Sequence, residues 1–196
     1  MIKIIIFAVV LGMLLGFGVW KLTPVPKIEI PVQQKFAYNF SKPPTDSIVG
    51  KIASVSGDVY YKKRIGEEIV LLDKNTIFQG ENLIASDSGK ITVDFEGNTI
   101  HLEPKTEVDI VQTLPGKLVF NQISGSVSYN IIGSVRIKRL LVEITKSTAI
   151  VINKNKIEIT GFGKIAYNDA NFNSKVLDLV EGKTTVFDDT LRAVVK

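Results

Sequence analysis

Ile91-Thr92-Val93-Asp94-Phe95-Glu96-Gly97-Asn98-Thr99-Ile100-His101-Leu102 is the stretch that decides the fold. Ile91, Val93 and Phe95 alternate with Thr92, Asp94 and Glu96, and a period of two is the mark of a strand with one face buried. Gly97-Asn98 permits a tight turn, after which Ile100 and Leu102 resume the alternation around His101. Two alternating runs joined by such a turn form a β-hairpin.

The same pattern continues outward. Lys117 to Ile123 leads through Gly125 into Val127 to Ile132. Ala149 to Ile152 turns at Asn153-Lys154-Asn155 into Lys156 to Thr160, and Val176 to Val180 turns at Glu181-Gly182-Lys183 into Thr184 to Phe187. No stretch beyond residue 25 keeps the 3.6-residue apolar spacing of an amphipathic helix. Short strands with regular turn punctuation predict an all-β domain over residues 48–196. The expected form is an elongated β-sandwich or a solenoid-like stack of short hairpins.

Upstream the chain changes character. The run Ile4 to Trp20 carries no charge, and at 1.5 Å per residue it spans about 26 Å as a helix, close to the hydrocarbon thickness of a bilayer. Ile4 and Leu11 are typical of its apolar surface. Lys3 and Lys21 flank it, and Trp20 suits the headgroup belt. Residues 1–22 therefore read as one transmembrane anchor. A cleaved signal peptide is the rival, but its apolar stretch is normally shorter and ends at a small-residue site, whereas this one ends Gly18-Val19-Trp20-Lys21. Gly12 and Gly16 are spaced for close helix packing, a route to a homodimer through the anchor. Pro24, Pro26, Pro31, Pro43 and Pro44 crowd the next segment, so residues 23–47 read as a semi-rigid linker.

The net charge of +4 on 196 residues is concentrated near the anchor, where Lys3, Lys21, Lys27, Lys35 and Lys42 face only Glu29 and Asp46. Lysines there meet lipid headgroups, and the nearly neutral domain has no footprint for nucleic acid. Lysines on both sides of the run leave the orientation undecided by charge alone. The absence of cysteine removes disulfides, thiolate catalysis and zinc–thiolate sites.

Several short motifs resemble a FecR-like domain. They are Gly50-Lys51-Ile52 with Val55-Ser56-Gly57-Asp58-Val59; Leu72 with Ile77-Phe78-Gln79-Gly80-Glu81-Asn82-Leu83; the hairpin Ile91 to Thr99; Leu102 to Thr106; and Leu118 to Val127 around Gly125. Val180-Glu181-Gly182-Lys183-Thr184 is similar to the family's closing turn. Glu81 stands where the family usually has aspartate, and Ser86 where it has threonine. The family's late "GT-x-F" is absent, with Gly161-Phe162-Gly163 only a distant echo. The resemblance covers residues 48–130 well and implies an all-β extracytoplasmic module on a single-pass cytoplasmic-membrane anchor. Its best-known members signal to a sigma factor through a cytoplasmic region. Only Met1-Ile2-Lys3 precedes the apolar run here, so direct anti-sigma activity is not expected.

The search for chemistry yields little. His101 is the only histidine, placed on a strand near Glu103 and Asp94, and reads as a solvent-facing residue. Asp169, Asn171 and Asn173 occupy alternate positions of a calcium-type loop, but Ser174 replaces its glycine, and an Asx-rich turn explains them as well. Tyr60-Tyr61 reads as a core-and-surface pair before a sugar-stacking site. Arg136, Lys138 and Arg139 form the candidate ligand or partner contact cluster, with Arg136 and Lys138 on one strand face, for an acidic polymer or a lipid headgroup; a solvated strand edge guarded by charge is the commoner use of such a cluster. No cofactor, metal or enzymatic activity is expected. The expected function is a membrane-anchored binding or sensory module; the alternative is a structural scaffold of the envelope or of a lipid-export assembly.

Overall fold

The computed structural model describes residues 46–66 and 68–195. The first strands are β1 (Gly50–Ser56), β2 (Val59–Lys62), β3 (Ile69–Leu71), β4 (Thr76–Ile77) and β5 (Asn82–Ala85). They are followed by β6 (Lys90–Phe95), β7 (Asn98–Leu102), β8 (Thr106–Leu114), β9 (Lys117–Asn130) and β10 (Gly133–Ile137). The chain ends with β11 (Leu140–Asn153), β12 (Lys156–Asn168), β13 (Ser174–Leu179), β14 (Thr184–Asp188) and β15 (Ala193–Val194). The described residues are thus all-β, and all fifteen strands join one open sheet.

Three long strands double that sheet over, because β9, β11 and β12 change neighbours halfway along. The first half of β9 lies between β8 and β10, and its second half between β7 and β11. The first half of β12 carries β14, while its second half carries β13. One layer therefore runs β3-β2-β5-β8-β9-β10-β11-β12-β13, and the other runs β4-β1-β6-β7-β9-β11-β12-β14-β15. Their inner side chains make a single core. Phe95 of β6 meets Phe120 of β9 edge-on at 5.5 Å, and Tyr167 of β12 meets Phe187 of β14 at 5.0 Å. Strands that cross between layers do so at bends or bulges.

Each crossing frees backbone groups that the ladder no longer pairs, and a buried polar side chain takes them up. Gln122 donates from Nε2 to the carbonyls of Gly125 (3.0 Å) and Ile150 (3.2 Å), and its Oε1 accepts the Tyr129 hydroxyl at 3.2 Å. The Thr106 hydroxyl accepts from the Ser126 amide at 3.0 Å and donates to the Ser126 carbonyl at 3.1 Å. Thr148 does the same for Phe162 across β11 and β12. All three residues are buried. A buried backbone group left unpaired is costly, so these side chains hold the bends in place.

The Ile91–Leu102 hairpin forms as expected, with Phe95 opposite Asn98. The turn pair is therefore Glu96-Gly97 instead of Gly97-Asn98, both at positive φ as a type I′ turn requires. Two expected hairpins are corrected. Gly125 is no turn: residues 117–130 form one continuous strand that bends there. β13 and β14 do not pair with each other, because each lies on a different half of β12. A stack of short hairpins is replaced by long shared strands, since local periodicity does not specify neighbours. Among the described residues no helix is long and apolar enough to cross a membrane. The run Ile4–Trp20, with Leu11, Gly12 and Gly16, and the proline-rich stretch as far as residue 45 lie outside them.

Candidate functional site

A polar concavity lies at the β2–β3 end of the sheet. Val59 and Tyr61 of β2 face the core, so Tyr61 sits at the mouth of that layer, only 7% exposed. The chain leaves β2 through Lys63, Arg64 and Ile65. Opposite stands the turn Phe78-Gln79-Gly80-Glu81, anchored to β8 where the Gly80 amide donates to the Ile110 carbonyl and the Ile110 amide to the Glu81 carbonyl. Together Tyr61, Lys63, Arg64, Ile65, Lys74 and Glu81 line a cavity of about 350 Å3.

Its side chains are held in place. Glu81 folds back on its own turn, accepting the Phe78 amide at 2.9 Å. Both its oxygens take the Lys74 ammonium, at 2.5 and 2.6 Å, and the pair is largely shielded from water. The same ammonium stands 4.1 Å from the centroid of the Tyr61 ring, a cation–π contact. Arg64 lays its stem over Gly80, where any side chain would collide with it, and donates from Nη1 to the Gln79 carbonyl at 3.1 Å. Three cations thus line the cavity with one carboxylate, and Lys74 is already spent on Glu81.

The residues singled out from sequence fall elsewhere. Arg136 is exposed on β10, but Lys138 lies in the β10–β11 turn at φ 50°. There Lys138 donates to the Lys154 carbonyl at 3.1 Å and pairs with Asp189 at 3.4 Å. Arg136 and Lys138 border one shallow depression with Asn121 and Ile123, while Arg139 borders another with Ser174 and Lys175. The three do not converge on one site. Lys138 lies one residue past the end of β10 at Ile137, so it borders the depression it shares with Arg136 from the turn and not from the strand.

His101 belongs to a surface chain on β6 and β7. Thr92 Oγ1 lies 2.7 Å from its Nδ1, Glu103 lies 3.2 Å from its Nε2, and Lys90 pairs with Glu103 at 2.8 Å. The hydrogen bond from Lys90 holds the Glu103 carboxyl below its ordinary value. In the Asn168–Ser174 turn the Asp169 carboxylate accepts the amides of Asn171 and Asn173, each at 2.9 Å, and the Asn173 amide chiefly lowers its pKa. Its Oδ1 takes both amides and so caps the turn. Among the described residues no group of three or more His, Asp or Glu side chains could hold a metal ion. Tyr60 and Tyr61 point to opposite faces of β2 and form no joint stacking surface.

Sequence reasoning passed over the cavity. Lys63-Arg64 directly after a strand, and a glutamate at position 81 of the Gln79-Gly80-Glu81 turn, were its legible traces.

No family model matches this chain, and no curated protein does. Two crystal structures of a candidate anti-sigma factor from Parabacteroides distasonis ATCC 8503 align with it at 13% identity and a TM-score of 0.47. Each alignment covers 58% of this chain and 57% of the other. The chain thus spans a little over half the length of these structures. A likeness of that degree decides neither family nor function.

Proposed function

We propose that this chain is a non-catalytic binding module of FecR-like type, held on the outer side of the cytoplasmic membrane by the Ile4–Trp20 helix. The observation that carries the binding role is the cavity beside Tyr61, a concave site with convergent polar groups on a rigid sheet. The apolar run supports the tether, and the motifs between Gly50 and Val127 support the FecR-like type.

Fractionation of the full chain tests the tether. The chain is expected in the membrane pellet after alkaline wash, and alkaline phosphatase fused to its C-terminus is expected to be active. Intact chain in the cytosol, or a mature N-terminus beyond Trp20, overturns it. For the binding role, the Lys63→Gln/Arg64→Gln variant should reproduce the phenotype of deleting the gene while remaining folded and membrane-bound.

A second reading, a structural envelope or lipid-export component, is favoured by β13. Among the described residues it pairs only with β12, and it shows apolar side chains on both faces, Val176 at 68% and Leu177 at 42% exposed. An open apolar edge of this kind invites another chain. On that reading Val176→Pro produces the deletion phenotype and the cavity variant does not.

A further inference from the structure

Resting on the reading of the cavity as a ligand site, we infer that the group it takes is an oxyanion, a carboxylate or a phosphate, seated on Arg64 and Lys63. Lys74 is neutralised by both oxygens of Glu81 and serves as wall. Among the described residues, neither Lys63 nor Arg64 has a carboxylate within ion-pair distance, yet both line the same concavity.

Arg64 is pre-set for the task. The Gln79 carbonyl holds Nη1, which leaves the edge formed by Nε and Nη2 for a ligand. Two parallel N–H groups on that edge match the two oxygens of a carboxylate or phosphate. Gly80, at φ 87°, makes the seat: it lets the arginine stem lie flat on the turn, where a Cβ would come within 2.7 Å of Arg64 Cγ. Holding the guanidinium before the ligand arrives lowers the ordering cost of binding. Ile65, 57% exposed at the rim, provides an apolar surface for the body of the ligand. A volume of about 350 Å3 suits one sugar-sized unit and excludes a folded partner from the floor.

The full chain in nanodiscs of zwitterionic lipid, with isoleucine methyl groups labelled, is titrated with glucuronate, inorganic phosphate and glucose. The Ile65 methyl resonance is expected to shift saturably with glucuronate or phosphate but not with glucose, and the responding anion names the class. Arg64→Gln should weaken that binding about tenfold, the loss of one charge-assisted bidentate contact. An equal response to glucose, no saturable response to either anion, or an unchanged affinity in Arg64→Gln overturns the oxyanion assignment. The Lys63→Gln/Arg64→Gln phenotype separates the two failures. If that variant loses function in the cell while both anions are silent, the ligand site stands and the anion falls; if it behaves as wild type, both fall.

Discussion

Gln122 is 1% exposed and has a partner for each atom of its amide, which explains a polar residue in the middle of the core. Its ring partner Tyr129 is wholly buried and packs 5.9 Å from Phe120. Burial pushes the Tyr129 phenol well above its ordinary value near 10, because the phenolate would be stranded without water. The folded state therefore holds this proton more tightly than the unfolded chain. The stability it contributes is complete below the ordinary tyrosine pKa and falls as pH rises beyond it. In alkaline titration the Tyr129 phenolate absorbance should appear only with loss of β-sheet circular dichroism. At neutral pH, Tyr129→Phe should cost about 1–2 kcal/mol in denaturant unfolding, since it leaves Gln122 Oε1 unpaired. That difference should shrink at high pH; a constant difference would mean the phenol ionises without unfolding. Periodicity foretold the strand positions of both residues. Their bond was hidden, because it joins side chains across a bend that no local pattern announces.

Among the elements, β9 turns on one backbone position. Gly125 adopts φ 79°, and a Cβ there would lie 2.5 Å from the Lys105 carbonyl oxygen and from Thr106 Cα. Backbone cannot move aside as a flexible side chain can. Gly125→Ala should therefore cost about 3 kcal/mol, combining left-handed strain with the clash. Gly116, in the β8–β9 turn at φ 66°, has open space around it, so Gly116→Ala should cost only about 1 kcal/mol. Chemical denaturation of the two variants measures the difference, and equal losses would show that β9 does not bend against β8 as described. Gly125 was visible in sequence as a conformational signal, but a glycine flanked by alternating residues serves a turn and an in-strand bend equally.

For the molecule as a whole, the decisive feature is that both layers share β9, β11 and β12. Neither layer can keep its strands if the other is lost, so the domain should unfold in one step. Circular dichroism and tyrosine fluorescence of the full chain in micelles should give coincident denaturation curves; two separated transitions would contradict the shared core. Refolding should be slow for the chain length, because β1 must find β6 and β5 must find β8 across long intervening segments.

By itself the sequence determined that the chain from residue 48 is built of strands, and that Ile4–Trp20 is apolar enough for a bilayer. Both are local properties, written in side-chain alternation and in an unbroken hydrophobic run. Only the tertiary structure decided which strands are neighbours, where three of them bend between layers, and that Tyr61, Arg64, Lys74 and Glu81 surround one cavity. Those outcomes depend on burying two sheet faces against each other while every freed backbone group finds a partner. That condition is met by residues far apart in the chain, so no single stretch of it carries the answer.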